Sequence, residues 1–363
     1  PAPAARPGAA APPAAAAPPA AAAPPPAPIA ASLPAAARSI LDAASKEKKV
    51  PDGSYWGAAF RTLGGDPFFA FELTLPADKA VAGLKFGGVV LAESGEEKGS
   101  YWEDAAFLES KTGTAVAKVF ARSLALATGA YRGAFGLFPS DGGSALVSAS
   151  PEFKLEPASE GLEVSPLLLT NLLAPLGKRA QPTEPFIFGR PEKLIQILPK
   201  ANRLFTNQDG LWYFYTVRNP AKPAAAAPAS AEATAGKAPT APGAPAAAPA
   251  EAPRPRVMTT ISVLRNGKPA FQPTTAPAEL DPFGSGVYGE GKEIPLEKFE
   301  PGYYTFVLGV RDLNAPRDSA PFKGFERHSD FVVLKPDGSM PDKPAAAPSP
   351  APVPARKAPA KKG

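Results

Sequence analysis

Glu300–Val310 reads EPGYYTFVLGV, and this stretch decides the fold. Pro301 and Gly302 suit a turn, and Tyr303–Val310 is rich in the aromatic and β-branched residues of a strand. A second copy stands earlier, at Thr128–Leu137, TGAYRGAFGL. Gly302 follows Gly129 by 173 positions, Tyr304 follows Tyr131 by the same interval, and Gly309 follows Gly136 likewise. An interval held at several positions marks a duplicated unit. In both copies a tyrosine opens a strand two residues after the glycine, placed to fold its hydroxyl back onto nearby backbone. Tyr131 and Tyr304 are therefore expected as structural Tyr corners, with Gly129 and Gly302 as turn glycines.

Outward from these strands, composition divides the chain. Its 363 residues include 49 Pro and 32 Gly and no Cys. The prolines concentrate with alanine in 1–37, 220–255 and 343–360. Helix does not persist through so many prolines, and these stretches have no apolar face to bury, so they are expected as disordered spacers. Ala35–Ser45 is the one place beside the first spacer where a short helix fits. Two blocks of about a hundred residues remain, each the size of a small β-sandwich. Without cysteine, disulfides, thiolate metal sites and cysteine nucleophiles are excluded. The net charge of +5 is modest, and part of it is the tail Arg356, Lys357, Lys361 and Lys362. No apolar run reaches the about 18 residues of a membrane-spanning helix. A chain opening on Pro1 and not on Met is read as a processed product or as a piece cut from a longer chain, with a removed signal peptide as the expectation.

Within the blocks the period is two. Pro67–Leu75 places Phe69, Phe71, Leu73 and Leu75 on one face, the pattern of a half-buried strand. Further strands are expected at Leu84–Ala92, Tyr101–Leu108, Ala115–Leu126, Ala130–Phe138 and Ala145–Leu155. The second block is expected to begin with Leu194–Leu198 and continue through Leu211–Val217, Val257–Leu264, the Tyr corner and Ser329–Leu334. Asn266-Gly267 signals a tight hairpin. Gly95 and Gly267 match at an interval of 172, but Pro76 and Pro220 match at 144. The difference approximates the length of the second Ala/Pro stretch, so 221–253 reads as a loop inserted into the second block, between two strands of one sheet system.

The run VRNP, SVLRNGKPAFQ and EIPLEKFEPGYYTFVLGVRD resembles the tandem immunoglobulin-like β-sandwich modules of bacterial envelope proteins. Such modules accompany GWxTD-type and von Willebrand factor A-type domains; the GWxTD motif itself is absent here. The resemblance covers Phe68 to Leu334 and implies a non-catalytic, exported role, periplasmic, cell-surface or secreted. The expected architecture is all-β, with two tandem immunoglobulin-like sandwiches and Ala/Pro-rich disordered N-terminal, internal and C-terminal segments. Its expected divisions are a spacer at 1–37, a first sandwich at 50–157, a connector at 158–185, a second sandwich at 186–336 with the insertion 221–253, and a basic tail at 337–363.

Chemistry-bearing residues are sparse. His328 is the single histidine and is expected in a solvated loop, with Asp330 and Asp318 as neighbours in sequence. No HExxH, CxxC or calcium-loop pattern occurs, and the acidic pair Glu103–Asp104 reads as solvated. No catalytic residue, metal or cofactor is assigned. Trp56, Trp102 and Trp212 are the candidates for stacking against a sugar, weighed against the commoner role of strand aromatics as core. The basic tail offers weak, salt-sensitive contact to polyanions, without specific nucleic-acid recognition. The expected partner is a protein or polysaccharide of the cell envelope.

Overall fold

The computed structural model describes residues 54–112, 115–171, 173–175, 186–190, 193–222, 255–284 and 286–342, with Arg38, Ser39 and Leu41. The first spacer, the insertion beyond Lys222 and the basic tail beyond Asp342 lie outside the described residues. The described chain is all-β and forms two sandwiches. Among the described residues no helix is long and apolar enough to cross a membrane.

The first sandwich contains β1 (Ser54–Arg61), β2 (Pro67–Pro76), β3 (Lys85–Ala92), β4 (Glu97–Asp104), β5 (Leu108–Thr112), β6 (Ala115–Ala125), β7 (Gly129–Phe138), β8 (Val147–Ala149) and β9 (Glu152–Leu155). One sheet runs β1-β2-β6-β5 and the other β4-β3-β7-β8, with β9 also on β7. The alternation of β2 sends Phe69, Phe71, Leu73 and Leu75 between the sheets, where they are almost fully buried against Phe86, Val90, Phe120, Phe135 and Leu137. Phe71 stacks on Phe135 at 4.4 Å and Phe86 on Phe120 at 4.7 Å. Each such side chain contributes about 2–3 kcal/mol of burial.

The second sandwich repeats this plan. Its strands are β10 (Glu163–Val164), β11 (Leu168–Thr170), β15 (Leu204–Phe205), β16 (Gly210–Arg218), β17 (Val257–Arg265), β18 (Lys268–Pro269), β19 (Thr274–Pro277), β20 (Asp281–Gly284), β21 (Val287–Pro295), β22 (Gly302–Asp312) and β23 (Phe325–Val333). One sheet runs β10-β16-β21-β20 with β11 beside β10 on β16; the other runs β15-β23-β22-β17-β18 with β19 on β17. Strand for strand, β16 takes the place of β2, β21 that of β6, β17 that of β3 and β22 that of β7. Asn266 and Gly267 both have positive φ (53° and 76°), the backbone of a tight type I′ hairpin between β17 and β18.

Three expectations need correction here. The stretch read as a connector, 158–185, carries β10 and β11, which pair antiparallel with β16; the second sandwich therefore starts near Leu162, itself in its core, and not at 186. Leu194–Leu198 is not the first strand of that sandwich. Its β14 (Lys193–Ile197) joins β12 (Leu173–Pro175) and β13 (Ile187–Arg190) in a separate sheet of order β12-β14-β13. Finally, β16 and β17, on either side of the insertion, lie in opposite sheets. They share a core in which Tyr213, Tyr215 and Val217 face Val257, Val263, Phe306 and Leu308.

The sandwiches meet along a third apolar cluster. The outer face of the β1–β2 pair gives Trp56, Phe60 and Ala70; the second sandwich gives Leu168 and Phe214; the small sheet adds Phe186, Ile197 and Leu198. Phe188 bridges to Phe214 at 4.5 Å. On the far side of the first sandwich, helical Arg38 and Leu41 dock on the outer face of β3 and β7. Leu41 is buried with Val89, Ala134 and Phe138, and Arg38 pairs with Glu97 at 3.0 Å.

Candidate functional site

Both tyrosine hydroxyls fold back over four residues. Tyr131 Oη donates to the Ala127 carbonyl at 2.9 Å, and Tyr304 Oη donates to the Glu300 carbonyl at 2.7 Å. Each ring also stacks on a phenylalanine directly opposite on the next strand: Tyr131 on Phe153 at 5.5 Å, Tyr304 on Phe331 at 5.3 Å. Burial pushes the Tyr304 phenol up. Gly129 and Gly302 are the first residues of β7 and β22. At Gly302 the requirement is space: a Cβ would stand 2.9 Å from Arg265 Nε, whose guanidinium binds Glu300 and the Pro301 carbonyl. The corner hydroxyls are committed to backbone carbonyls, and Pro301 and Gly302 of the second corner line a shallow cleft.

The three tryptophans lie on three different sheets. Trp56 is 7% exposed and sits in the seam between the sandwiches, its ring tilted against those of Phe60 and Phe186. It offers no face to a sugar, because its outward side of β1 is covered by the second sandwich. Trp102 lies half-buried on Phe138 at 5.6 Å, in the cluster that receives Leu41. Trp212 is half-buried on the outward side of β16, between Thr170 and Glu293 in register. They form no common platform.

His328 stands within β23, not in a loop, on the outward side of the sheet. The alternation of this strand is masked in sequence because its inward Arg327 and Ser329 are polar like its outward Glu326, His328 and Asp330. His328 Nε2 lies 3.4 Å from Glu326 Oε2, and the neighbouring Thr305 hydroxyl donates to Asp330 Oδ1 at 2.6 Å. Glu103 accepts from Arg122 and Asp104 from Lys85, so each half of that acidic pair has its own cation. Among the described residues no group of three or more His, Asp and Glu is placed to hold a metal. A shallow cleft of about 200 Å³ opens between Arg265, Tyr303, Lys335 and Asp342; Lys335 and Asp342 pair across it at 3.2 Å.

Three buried carboxyl groups, Glu72, Glu290 and Asp312, were not singled out by sequence. In the second sandwich Glu290 accepts from the Tyr215 hydroxyl, from Glu279 N–H at 3.0 Å and from Lys292 at 3.1 Å. Burial and this neighbour push the Tyr215 phenol up. Glu72 is fully buried on the seam side of β2. Its Oε1 accepts from Ala201 N–H at 2.5 Å. Burial pushes its carboxyl up to about 8, against the opposing pull of that N–H and of Lys200 and Arg203. Burial likewise pushes the Lys200 ammonium down to about 8, opposed by Asp209 and Glu72.

Around these groups the sandwiches exchange many polar contacts. Lys200 Nζ donates to the Lys111 carbonyl at 2.6 Å, and Asn171 Nδ2 donates to the same oxygen at 2.7 Å. Arg61 Nε pairs with Glu163 at 2.9 Å and its Nη2 caps the Glu156 and Pro157 carbonyls. Arg218 reaches back to the carbonyls of Thr62 and Leu63. Charged and apolar contacts together join the two sandwiches into one body.

No family model matches the chain, and no curated protein matches it. Among solved structures it is similar to red sea bream transglutaminase, at 9% identity over 82% of this chain and 33% of that one, with a TM-score of 0.20. The chain thus spans about a third of that protein's length, and a likeness of this size carries no argument about activity.

Proposed function

We propose that the chain is a non-catalytic, exported or cell-envelope protein. In this reading its two sandwiches are immunoglobulin-like modules that arose by duplication and present one rigid binding or structural surface, joined to Ala/Pro-rich segments. The observation that carries it is the seam. Trp56, Phe60, Leu168, Phe186 and Phe214 fuse two sandwiches of the same strand order into a single body, the property of a scaffold that sets a distance or an angle. The Tyr corners and their stacked phenylalanines support the module assignment. The carbohydrate reading loses Trp56 to the seam and keeps only separated, half-buried Trp102 and Trp212.

Fractionation of the producing cells tests the location: recovery of the chain in the cytosol alone sinks the proposal. In-cell crosslinking followed by isolation from the envelope tests the role, with an envelope protein or polysaccharide as the expected partner. Substrate turnover that disappears in His328→Ala would overturn the non-catalytic assignment.

A further inference from the structure

Glu72 lies on the outward face of β2 with Ala70, and Phe214 lies on the outward face of β16. Both side chains point outward into the seam, and both are buried there. Phe214 joins the apolar cluster, whereas Glu72 brings a carboxyl group into the same layer. Burying an ionised carboxylate is costly unless it is fully paired. Glu72 is not: Oε1 has Ala201 N–H, but among the described residues Oε2 has no partner, and neither has the hydroxyl of Thr74 two residues along the same face.

The charged surroundings come from several elements. From β1 and β6 the residues in register with Glu72 are Trp56 and Ala121, neither of which titrates. The segment after β14 brings Lys200 and Arg203, and Asp209 beyond them. Lys200 is committed to the Lys111 carbonyl, and Arg203 Nη1 to the Ser329 hydroxyl and Asp330 carbonyl on β23. Both cations thus face Glu72 while donating elsewhere.

We propose that Glu72 is a proton-operated latch between the two sandwiches. With the carboxyl neutral, Leu198–Ala201 lies against β2 and the Ala201–Glu72 bond closes the seam. Loss of the proton leaves a buried anion whose Oε2 has no partner among the described residues; water enters, the segment lifts from β2, and the sandwiches gain freedom relative to one another. Position 72 is where such a latch has leverage, since the segment that carries Ala201 is also the one that feeds β15 and Arg203 into the second sandwich.

Trp56, opposite Glu72 in register, reports on the seam. In the full chain carrying Trp102→Phe and Trp212→Phe, its emission is followed from pH 6 to pH 9. The expected result is a shift to longer wavelength with a midpoint near the carboxyl's value of about 8, abolished in Glu72→Gln. Lys200 titrates in the same range and remains in the Gln variant, so a shift that survives there belongs to Lys200 and overturns the latch. A flat profile in the parent also overturns it. Should the Gln variant fail to fold, carboxyl carbon resonances of the parent decide. One glutamate titrating with the midpoint of the Trp56 shift supports the latch, and complete ionisation of every glutamate at pH 6 refutes it.

Discussion

The Tyr304 hydroxyl reaches back to the Glu300 carbonyl at 2.7 Å, and its duplicate Tyr131 reaches Ala127 at 2.9 Å. Both bonds close the entry to a central strand. Removing the hydroxyl while keeping the ring should leave a carbonyl with one partner fewer, at a cost of about 0.5–1.5 kcal/mol. Tyr304→Phe and Tyr131→Phe are each expected to lower the denaturation midpoint by that amount. Unchanged midpoints in both variants would show that the corners do not contribute to stability.

Glu72 and Lys200 give stability a defined pH dependence. The carboxyl ionises near 4.5 in the unfolded chain and near 8 when folded, so the folded state holds the extra proton between these values. Its contribution is fully present below 4.5 and is lost as pH rises through about 8. Lys200 runs oppositely: the unfolded chain keeps its proton to about 10.5 and the folded chain to about 8, so stability recovers between those values. The two groups together predict a minimum near pH 8. Melting temperatures of the wild type and Glu72→Gln at pH 5, 8 and 10 isolate the carboxyl. The difference should favour the Gln variant more at pH 8 than at pH 5, and a constant difference contradicts the assignment.

Trp56 is expected to behave as core. Trp56→Ala removes the ring that fills the seam beside Phe60 and Phe186 and should destabilise by about 3–5 kcal/mol. In a chain with Trp56 as its one tryptophan, soluble glycans should leave the emission unchanged. Quenching by a glycan would place the ring in solvent and revive the sugar-binding reading.

What sequence revealed depended on whether one strand carried the signal. The Tyr corners, the Asn266-Gly267 hairpin and the inward face of β2 are local, and their residues announce them. Glu72 could not be read that way. In F-A-F-E-L-T-L it falls on the polar phase of the alternation, which says which residues face outward but not what covers that outer face. The same limit hid Trp56. Strands β10 and β11 have two and three residues, too short for a period to show, and their places are set by the exposed edge of β16. Only the duplication hinted further, since it aligned β2 with β16.

Asp312 ties both ends of the inserted segment. Fully buried at the end of β22, it accepts Ala221 N–H at 2.6 Å and Asn314 N–H at 2.9 Å. Asn314 Nδ2 returns to the Ala221 carbonyl at 3.1 Å, and Leu313 N–H donates to the Arg256 carbonyl at 2.8 Å. The chain leaves at Ala221 and re-enters at Arg256 beside the same three residues, so the span between is not needed to bring β16 and β17 together. Replacing 223–254 by a few Gly and Ser residues should therefore preserve the fold. Loop-closure entropy limits the gain to about 2 kcal/mol for an eightfold shortening. Asp312→Ala should do the reverse, costing about 1–3 kcal/mol by stripping two buried N–H groups of their acceptor. Cleavage within 223–254 should leave two fragments that co-elute, because Tyr213 and Tyr215 on one side and Val257, Phe306 and Leu308 on the other complete a single core. Fragments that separate under native conditions would show that the segment joins two independent units.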